Sequence, residues 1–172
     1  MKVKGLLIAM SLLLTALSFV NACSLRGKGD FYFVYEAGYS PDSLRTLLDT
    51  KKGVIGALLG MKADEYISVK YNIPQENLQG IYDLIVQYDI MSYSGSEWLT
   101  DTSVFMMNPE YYSKLTFYID GKIYTVLYGN SVTYGGSLEY ANLEVFRRKF
   151  NSQYYVSTTE FQSFPEATGL PI

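Results

Sequence analysis

The chain has 172 residues, 14 Lys and Arg against 17 Asp and Glu, a net charge of −3, no His and a single Cys. Without His there is no Ser-His-Asp or Cys-His catalysis, and the commonest zinc ligand is missing. An acidic chain whose longest basic run is Arg147-Arg148-Lys149 argues against nucleic acid as a partner.

Lys2 and Lys4 precede the apolar run Leu6 to Leu17, and Ser18 to Ala22 is less apolar and ends on a small residue. This is the three-part pattern of a signal peptide, and the run is shorter than the ~20 residues that a membrane-spanning helix needs. Val20 and Ala22 would satisfy an ordinary signal peptidase, but Cys23 follows at once. Val20-Asn21-Ala22-Cys23 resembles the lipobox of bacterial lipoproteins, usually Leu-small-small-Cys, with Val for Leu and a larger polar residue at the second place. The resemblance covers residues 1–23. It implies a diacylglyceryl group on the sulfur of Cys23, which would become the acylated N-terminus. It also implies a bacterial cell membrane or outer membrane location, with the domain facing the periplasm or the exterior. Ser24 stands where an Asp would resemble an inner-membrane retention signal.

The cysteine count agrees with this reading. An exported chain with one unpaired thiol calls for an explanation, and a lipidated sulfur provides one. Loss of residues 1–22 takes Lys2 and Lys4 with it, so the remaining chain carries a charge of −5. Residues 24–30 (SLRGKGD) read as a flexible tether.

Phe31 to Ala37 is aromatic and β-branched with alternating character and predicts a strand. Ser40-Pro41-Asp42 can start a helix carrying Leu44, Leu47 and Leu48. Alternatively, residues 44–48 and 54–59 form two strands joined at Asp49-Thr50-Lys51-Lys52-Gly53; the flanking Thr, Val and Ile favour this hairpin. Glu65 to Asn72 predicts another strand. Pro74 opens a helix to about Tyr88, with Asn72 and Gln75 as a capping box and Leu78, Ile81, Tyr82, Ile85 and Tyr88 as its buried stripe. Gly80 weakens its middle. Residues 89–112 are long and irregular for a compact domain and hold the only Trp, Trp98.

Tyr112 to Asn130 is the clearest hairpin, centred on Asp120-Gly121. A two-residue loop sets Phe117 opposite Tyr124. A three-residue bulged loop sets Phe117 opposite Ile123, with Leu115, Phe117, Ile123, Thr125 and Leu127 on one side and Thr116, Tyr118, Tyr124, Val126 and Tyr128 on the other. The bulged register sorts the faces better and is the one expected; a one-residue slip would exchange them. After Gly135-Gly136, Ser137 can cap a helix to about Asn151 with Leu143, Phe146, Phe150 and Tyr154 inside. Ser157 and Glu160 imitate a capping box for a short last helix ending near Phe164-Pro165. The fold class is therefore α+β: one domain over residues 31–165 with an antiparallel sheet of about five or six strands and two main helices, then a loose tail.

Tyr118, Tyr124 and Tyr128 on one face are the first binding candidate, because aromatic rings stack on sugars or peptide side chains and their hydroxyls orient them. A helix packed on that face would make them core instead. Trp98 is the second candidate, as a ligand contact or as a lid on the core. Glycan cleavage needs a pair of carboxylates; Asp64 and Glu65 would point apart as sequence neighbours, and Glu97 with Asp101 share the irregular segment and could converge. No catalytic residue, metal site or cofactor is expected. The expected role is a lipid-anchored extracytoplasmic protein, non-enzymatic, that binds an envelope protein or glycan or serves as an envelope accessory whose partner covers an open sheet edge. The alternative is a carboxylate-dependent envelope hydrolase.

Overall fold

The computed structural model describes residues 30–60, 65–99, 111–129, 131–132 and 138–165. Cys23, the signal segment, residues 24–29 of the tether, Asp64, Asp101, Ser137 and the tail lie outside them. Among the described residues seven strands form one sheet: β1 (Tyr32–Gly38), β2 (Arg45–Asp49), β3 (Val54–Leu58), β4 (Tyr66–Lys70), β5 (Trp98–Leu99), β6 (Tyr112–Ile119) and β7 (Lys122–Gly129). Their order is β4-β3-β2-β1-β6-β7-β5. Strands β1 to β4 meander outward, and the β6–β7 hairpin then joins the other side of β1, with partners running from Tyr32↔Tyr118 to Gly38↔Tyr112. The architecture is α+β, but the sheet is larger than the sequence suggests and is mixed, because β5 runs parallel to β7. Two residues of strand carry too little periodicity to stand out in a sequence.

Alternation in β1 and β6 fixes the two faces. Phe33, Tyr35, Ala37, Leu115, Phe117 and Ile119 point to a buried inner face. Tyr32, Val34, Glu36, Tyr112, Lys114, Thr116 and Tyr118 occupy the outer one. Helices α1 (Gln75–Gln87), α2 (Ala141–Phe150) and α3 (Thr159–Gln162) supply the inner layer. Phe33 meets Phe150 at 5.0 Å between ring centroids, and Phe31 meets Tyr82 edge-on at 5.3 Å. Residues 45–58 take the hairpin alternative, with only a short 3₁₀ turn at Pro41–Ser43. Asp49 is buried there and accepts hydrogen bonds from the backbone N–H groups of Lys51 and Lys52, closing the turn in which Gly53 sits at φ +66°.

The hairpin register differs from the bulged one expected. Phe117 pairs with Tyr124, Tyr118 with Ile123 and Ile119 with Lys122, so the loop is Asp120-Gly121 alone. Both loop residues have positive φ, +50° and +82°, the backbone a type I′ turn demands and the one that matches strand twist. Stacking of Tyr124 on Phe117, at 5.4 Å and 15° between planes, holds this register and leaves Ile123 64% exposed.

The helix ends also differ. Pro74, with no side-chain cap, stands at the start of α1, in place of the Asn72–Gln75 box. Thr158, not Ser157, caps α3: its hydroxyl oxygen accepts from the Phe161 N–H at 3.2 Å, whereas the Ser157 hydroxyl donates to the Gln153 carbonyl. Of the expected α1 stripe, Ile81, Tyr82 and Ile85 are buried, joined by Leu84, while Leu78 and Tyr88 are half-buried.

In α2, Leu143, Phe146 and Phe150 face inward, but the next inward residue is Tyr155 and not Tyr154. Residues Asn151–Tyr155 form a π-helical turn, with the Val156 N–H bonded to the Asn151 carbonyl at 2.9 Å. One extra residue in the turn moves the inward position on by one. Tyr154 then lies against α1 where Gly80 leaves room; a Cβ on Gly80 would collide with the Tyr154 hydroxyl.

The reason Tyr155 is drawn inward lies in the sheet. A bulge at Leu47 shifts the β1–β2 register, and β2 pairs with β3 only at Leu48↔Ile55 and Asp49↔Val54. The next rung of a regular ladder would join Leu47 to Gly56, and it is missing. Two tyrosyl hydroxyls replace it. Tyr155 donates to the Gly56 carbonyl at 2.5 Å, and Tyr66 donates to the Thr46 carbonyl at 2.6 Å. Tyr66 lies directly over Gly56, where a Cβ would come within 2.7 Å of its hydroxyl. Buried backbone groups without a partner are costly, so these phenols complete the sheet.

Candidate functional site

The three tyrosines proposed as one face are not on one face. With the two-residue loop, Tyr124 and Tyr128 point inward: Tyr128 is 2% exposed and Tyr124 is half-buried against Phe117. Tyr118 points outward and stacks on Tyr32, with centroids 5.5 Å apart and planes 2° from parallel. The physical reason is the period of two: a slip of one residue in the turn returns Tyr118 to one side and its supposed neighbours to the other.

A different aromatic set occupies the outer face. Trp98 pairs with Leu127 in β5 and meets Tyr112 edge-on at 5.2 Å. Tyr118 and Tyr112 are six residues apart on β6, so the two aromatic pairs stand about 20 Å apart. Between them Lys114 and Glu36 form an ion pair at 2.9 Å, flanked by Val34, Thr116, Thr125 and Leu127. The ammonium of Lys51 sits 5.0 Å from the ring centre of Tyr32. All three helices pack on the inner face, and among the described residues no helix covers the outer one. The outcome is a broad surface of half-buried rings and hydroxyls whose central charges neutralise each other.

A second concavity lies at the β7 edge. Ser92, Tyr93, Ser94, Gly95, Ser96 and Glu97 face Glu139 and Tyr140 across an open groove of about 550 Å³. Residues 94–95 hold to β7 through the Gly95 N–H on the Thr125 carbonyl and the Thr125 N–H on the Ser94 hydroxyl. The Tyr93 hydroxyl donates to the Glu139 carbonyl at 3.1 Å. Burial raises the Tyr93 phenol above its ordinary value, and the Asp89 and Glu139 carboxylates add to the rise. Glu97 is thus in a groove, with Glu139 as its acidic companion, a residue the sequence does not single out. Trp98 and Leu99 are the strand neighbours that fall on opposite faces, and Leu99 lines this groove. Among the described residues there is no group of three potential metal ligands.

No family model, curated protein or solved structure matches the chain. Function therefore has to be argued from these two surfaces and from residues 1–23.

Sequence reasoning missed Tyr32, Tyr112 and Tyr140, and placed Tyr93 only as a neighbour of Trp98. The first two had a usable signal. Strict alternation in Phe31 to Ala37 already places Tyr32 opposite to Phe33, and the same holds for Tyr112 against Leu115 once the register is right. Tyr93 and Tyr140 sit in 3₁₀ turns at Ile90–Tyr93 and Leu138–Tyr140, which carry no such periodicity.

Proposed function

We propose that the protein is a lipid-anchored extracytoplasmic binding module, non-enzymatic, which holds an extended envelope glycan against the outer face of its sheet. One observation carries the ligand class: two aromatic pairs about 20 Å apart on a face that no described helix covers, joined by hydroxyls and a self-neutralised ion pair. A long, uncharged, polyhydroxylated ligand suits that chemistry. Its sugar faces stack on rings, its hydroxyls pair with Thr116, Thr125 and the phenols, and the central ion pair calls for no charged group on the ligand. The anchor rests on Val20-Asn21-Ala22-Cys23. From Cys23 to Phe31 is eight residues, so the sheet would lie within about 28 Å of the acylated end.

Trp98 is the only tryptophan, so its fluorescence reports on this face directly. Titration with soluble oligosaccharides from cell-wall glycan is expected to change the emission saturably, and Tyr112→Ala and Tyr118→Ala each to weaken binding several-fold. No change at any glycan concentration, with the fold intact, refutes the ligand. Intact mass and membrane fractionation of the full chain test the anchor separately. Wild type should begin at a diacylglyceryl-modified Cys23 and sediment with membranes, and Cys23→Ala should not.

A further inference from the structure

The two edges of the sheet are built differently. On one side β5 is two residues long, which leaves little backbone to pair with. On the other, β4 pairs with β3 without a break from Lys70↔Val54 to Tyr66↔Leu58 and has no proline or bulge. Its only charge is Lys70, at its end.

The phase of its hydrogen bonds is known. The Leu59 N–H bonds to the Glu65 carbonyl, and the Tyr71 N–H to the Gly53 carbonyl. Residues 65, 67, 69 and 71 therefore turn their backbone groups toward β3. Tyr66, Ser68 and Lys70 turn theirs outward. Ser68 and Lys70 are exposed, as is Val69 at 37%.

We propose that β4 pairs antiparallel with β4 of a second copy of this chain, across a two-fold axis at Ser68, to give a continuous fourteen-stranded sheet. The outward groups select this register. A two-fold at Ser68 sets Ser68 against Ser68 and Tyr66 against Lys70, so the three residues that face outward are the three that bond. A two-fold centred on Ile67 or Val69 would bring only two of these three residues opposite each other, and one between two residues would set outward groups against groups that already serve β3. Side chains agree with the same register. Ile67 meets Val69 on the inner face and covers it, Lys70 lies beside the Tyr66 ring on the outer face, and the two Lys70 ammoniums stay four residues apart. Like charges never stand opposite each other. The contact is isologous, as a closed dimer requires. A single strand pair buries little area, so the association is weak and concentration-dependent.

The test uses the full chain with Cys23→Ala, which leaves no other thiol, carrying Ser68→Cys or Ile67→Cys. Across the proposed axis, the Cα atoms of the two residues 68 stand about 5.5 Å apart, within disulfide reach, whereas the two residues 67 are offset by two positions and stand beyond about 7 Å. Mild oxidation with copper phenanthroline should give a covalent dimer many-fold faster from Ser68→Cys than from Ile67→Cys. Ser68→Lys, which sets two ammoniums face to face, should remove the concentration-dependent protection of the Tyr66 and Lys70 amides in hydrogen exchange. Equal cross-linking at both positions, or none at 68, overturns the proposal. So do amides of Tyr66, Ser68 and Lys70 that exchange at one rate at every protein concentration.

Discussion

Tyr155→Phe removes one oxygen and leaves the ring in place, so it isolates the hydroxyl that stands in for the missing rung of the ladder. Tyr155 is 6% exposed, and its ring packs against Phe161 at 4.7 Å and Tyr35 at 5.9 Å. Those contacts survive in the variant, and only the bond to the Gly56 carbonyl is lost. An orphaned buried acceptor costs about 1–3 kcal/mol. Urea unfolding followed by circular dichroism should show that loss with an unchanged slope, and Tm should fall by several degrees. The same phenol gives a pH signature. Burial raises its pKa well above the ordinary value of 10.0, with Tyr35 and Tyr66 contributing. The folded state then keeps a proton that the unfolded chain gives up once the pH passes 10.0. Stability is complete below that point and declines as pH rises toward the folded value. The Phe variant should lose this decline in part, the remainder belonging to Tyr111, which burial also raises well above 10.0, and to Tyr39, Tyr71 and Tyr93, which burial raises too. A loss in urea below about 0.5 kcal/mol would mean that the Gly56 carbonyl does not depend on the phenol, and the account of the split ladder would fail.

Gly80→Ala should not give the gain of up to ~1 kcal/mol usual in a helix; it should be neutral or destabilising, and become stabilising once Tyr154→Ser clears the space, a coupling that a double-mutant cycle measures. Thr158→Ala should cost about 1–2 kcal/mol in thermal unfolding, through loss of the α3 cap and of the Thr158 bond to the Tyr155 carbonyl, while Ser157→Ala changes little. Gly121→Ala should cost about 1 kcal/mol, because φ is +82° with open space around it, so backbone strain alone acts; Asp120→Asn should be tolerated in the same assay.

Most elements were legible from periodicity, composition or turn signals. The strand of residues 32–38 buries the alternate positions its spacing implies and the helix of residues 75–87 buries Ile81, Tyr82 and Ile85 of its stripe, while the strands of residues 54–58 and 66–70 were legible from composition and turn signals, the latter lying at the sheet edge with no buried residue. What could not be seen was non-local. The bulge at Leu47 leaves Gly56 without a partner, and a residue 99 positions along the chain supplies one. That demand inserts the π turn and swaps Tyr154 for Tyr155. No window around residues 150–155 contains the information. The binding face failed for a smaller reason. Apolar sorting favoured the bulged loop, but Asp120 and Gly121 accept the tighter turn, and ring stacking of Phe117 on Tyr124 outweighs the exposure of Ile123. One residue of register then decides which tyrosines meet solvent.

Tyrosine serves here in three ways that composition alone would merge. Tyr66 and Tyr155 use the phenol as a backbone substitute, a role that fixes both ring and oxygen and leaves nothing for a ligand. Tyr124 and Tyr128 use the ring as core. Tyr32, Tyr112 and Tyr118 stand on the face that no described helix covers, with Trp98 beside them. If all were packing residues, replacing Tyr118 by Leu, which retains apolar bulk, should leave both stability and ligand response nearly unchanged. A binding face requires the second to fall while the first holds. Tyr124→Leu is the matched control, since its ring is stacked on Phe117 inside the sheet: stability should fall there, and the Trp98 response to glycan should not. Equal behaviour of the two variants would return Tyr118 to the core and leave the groove at Tyr93 and Tyr140 as the remaining surface for a ligand.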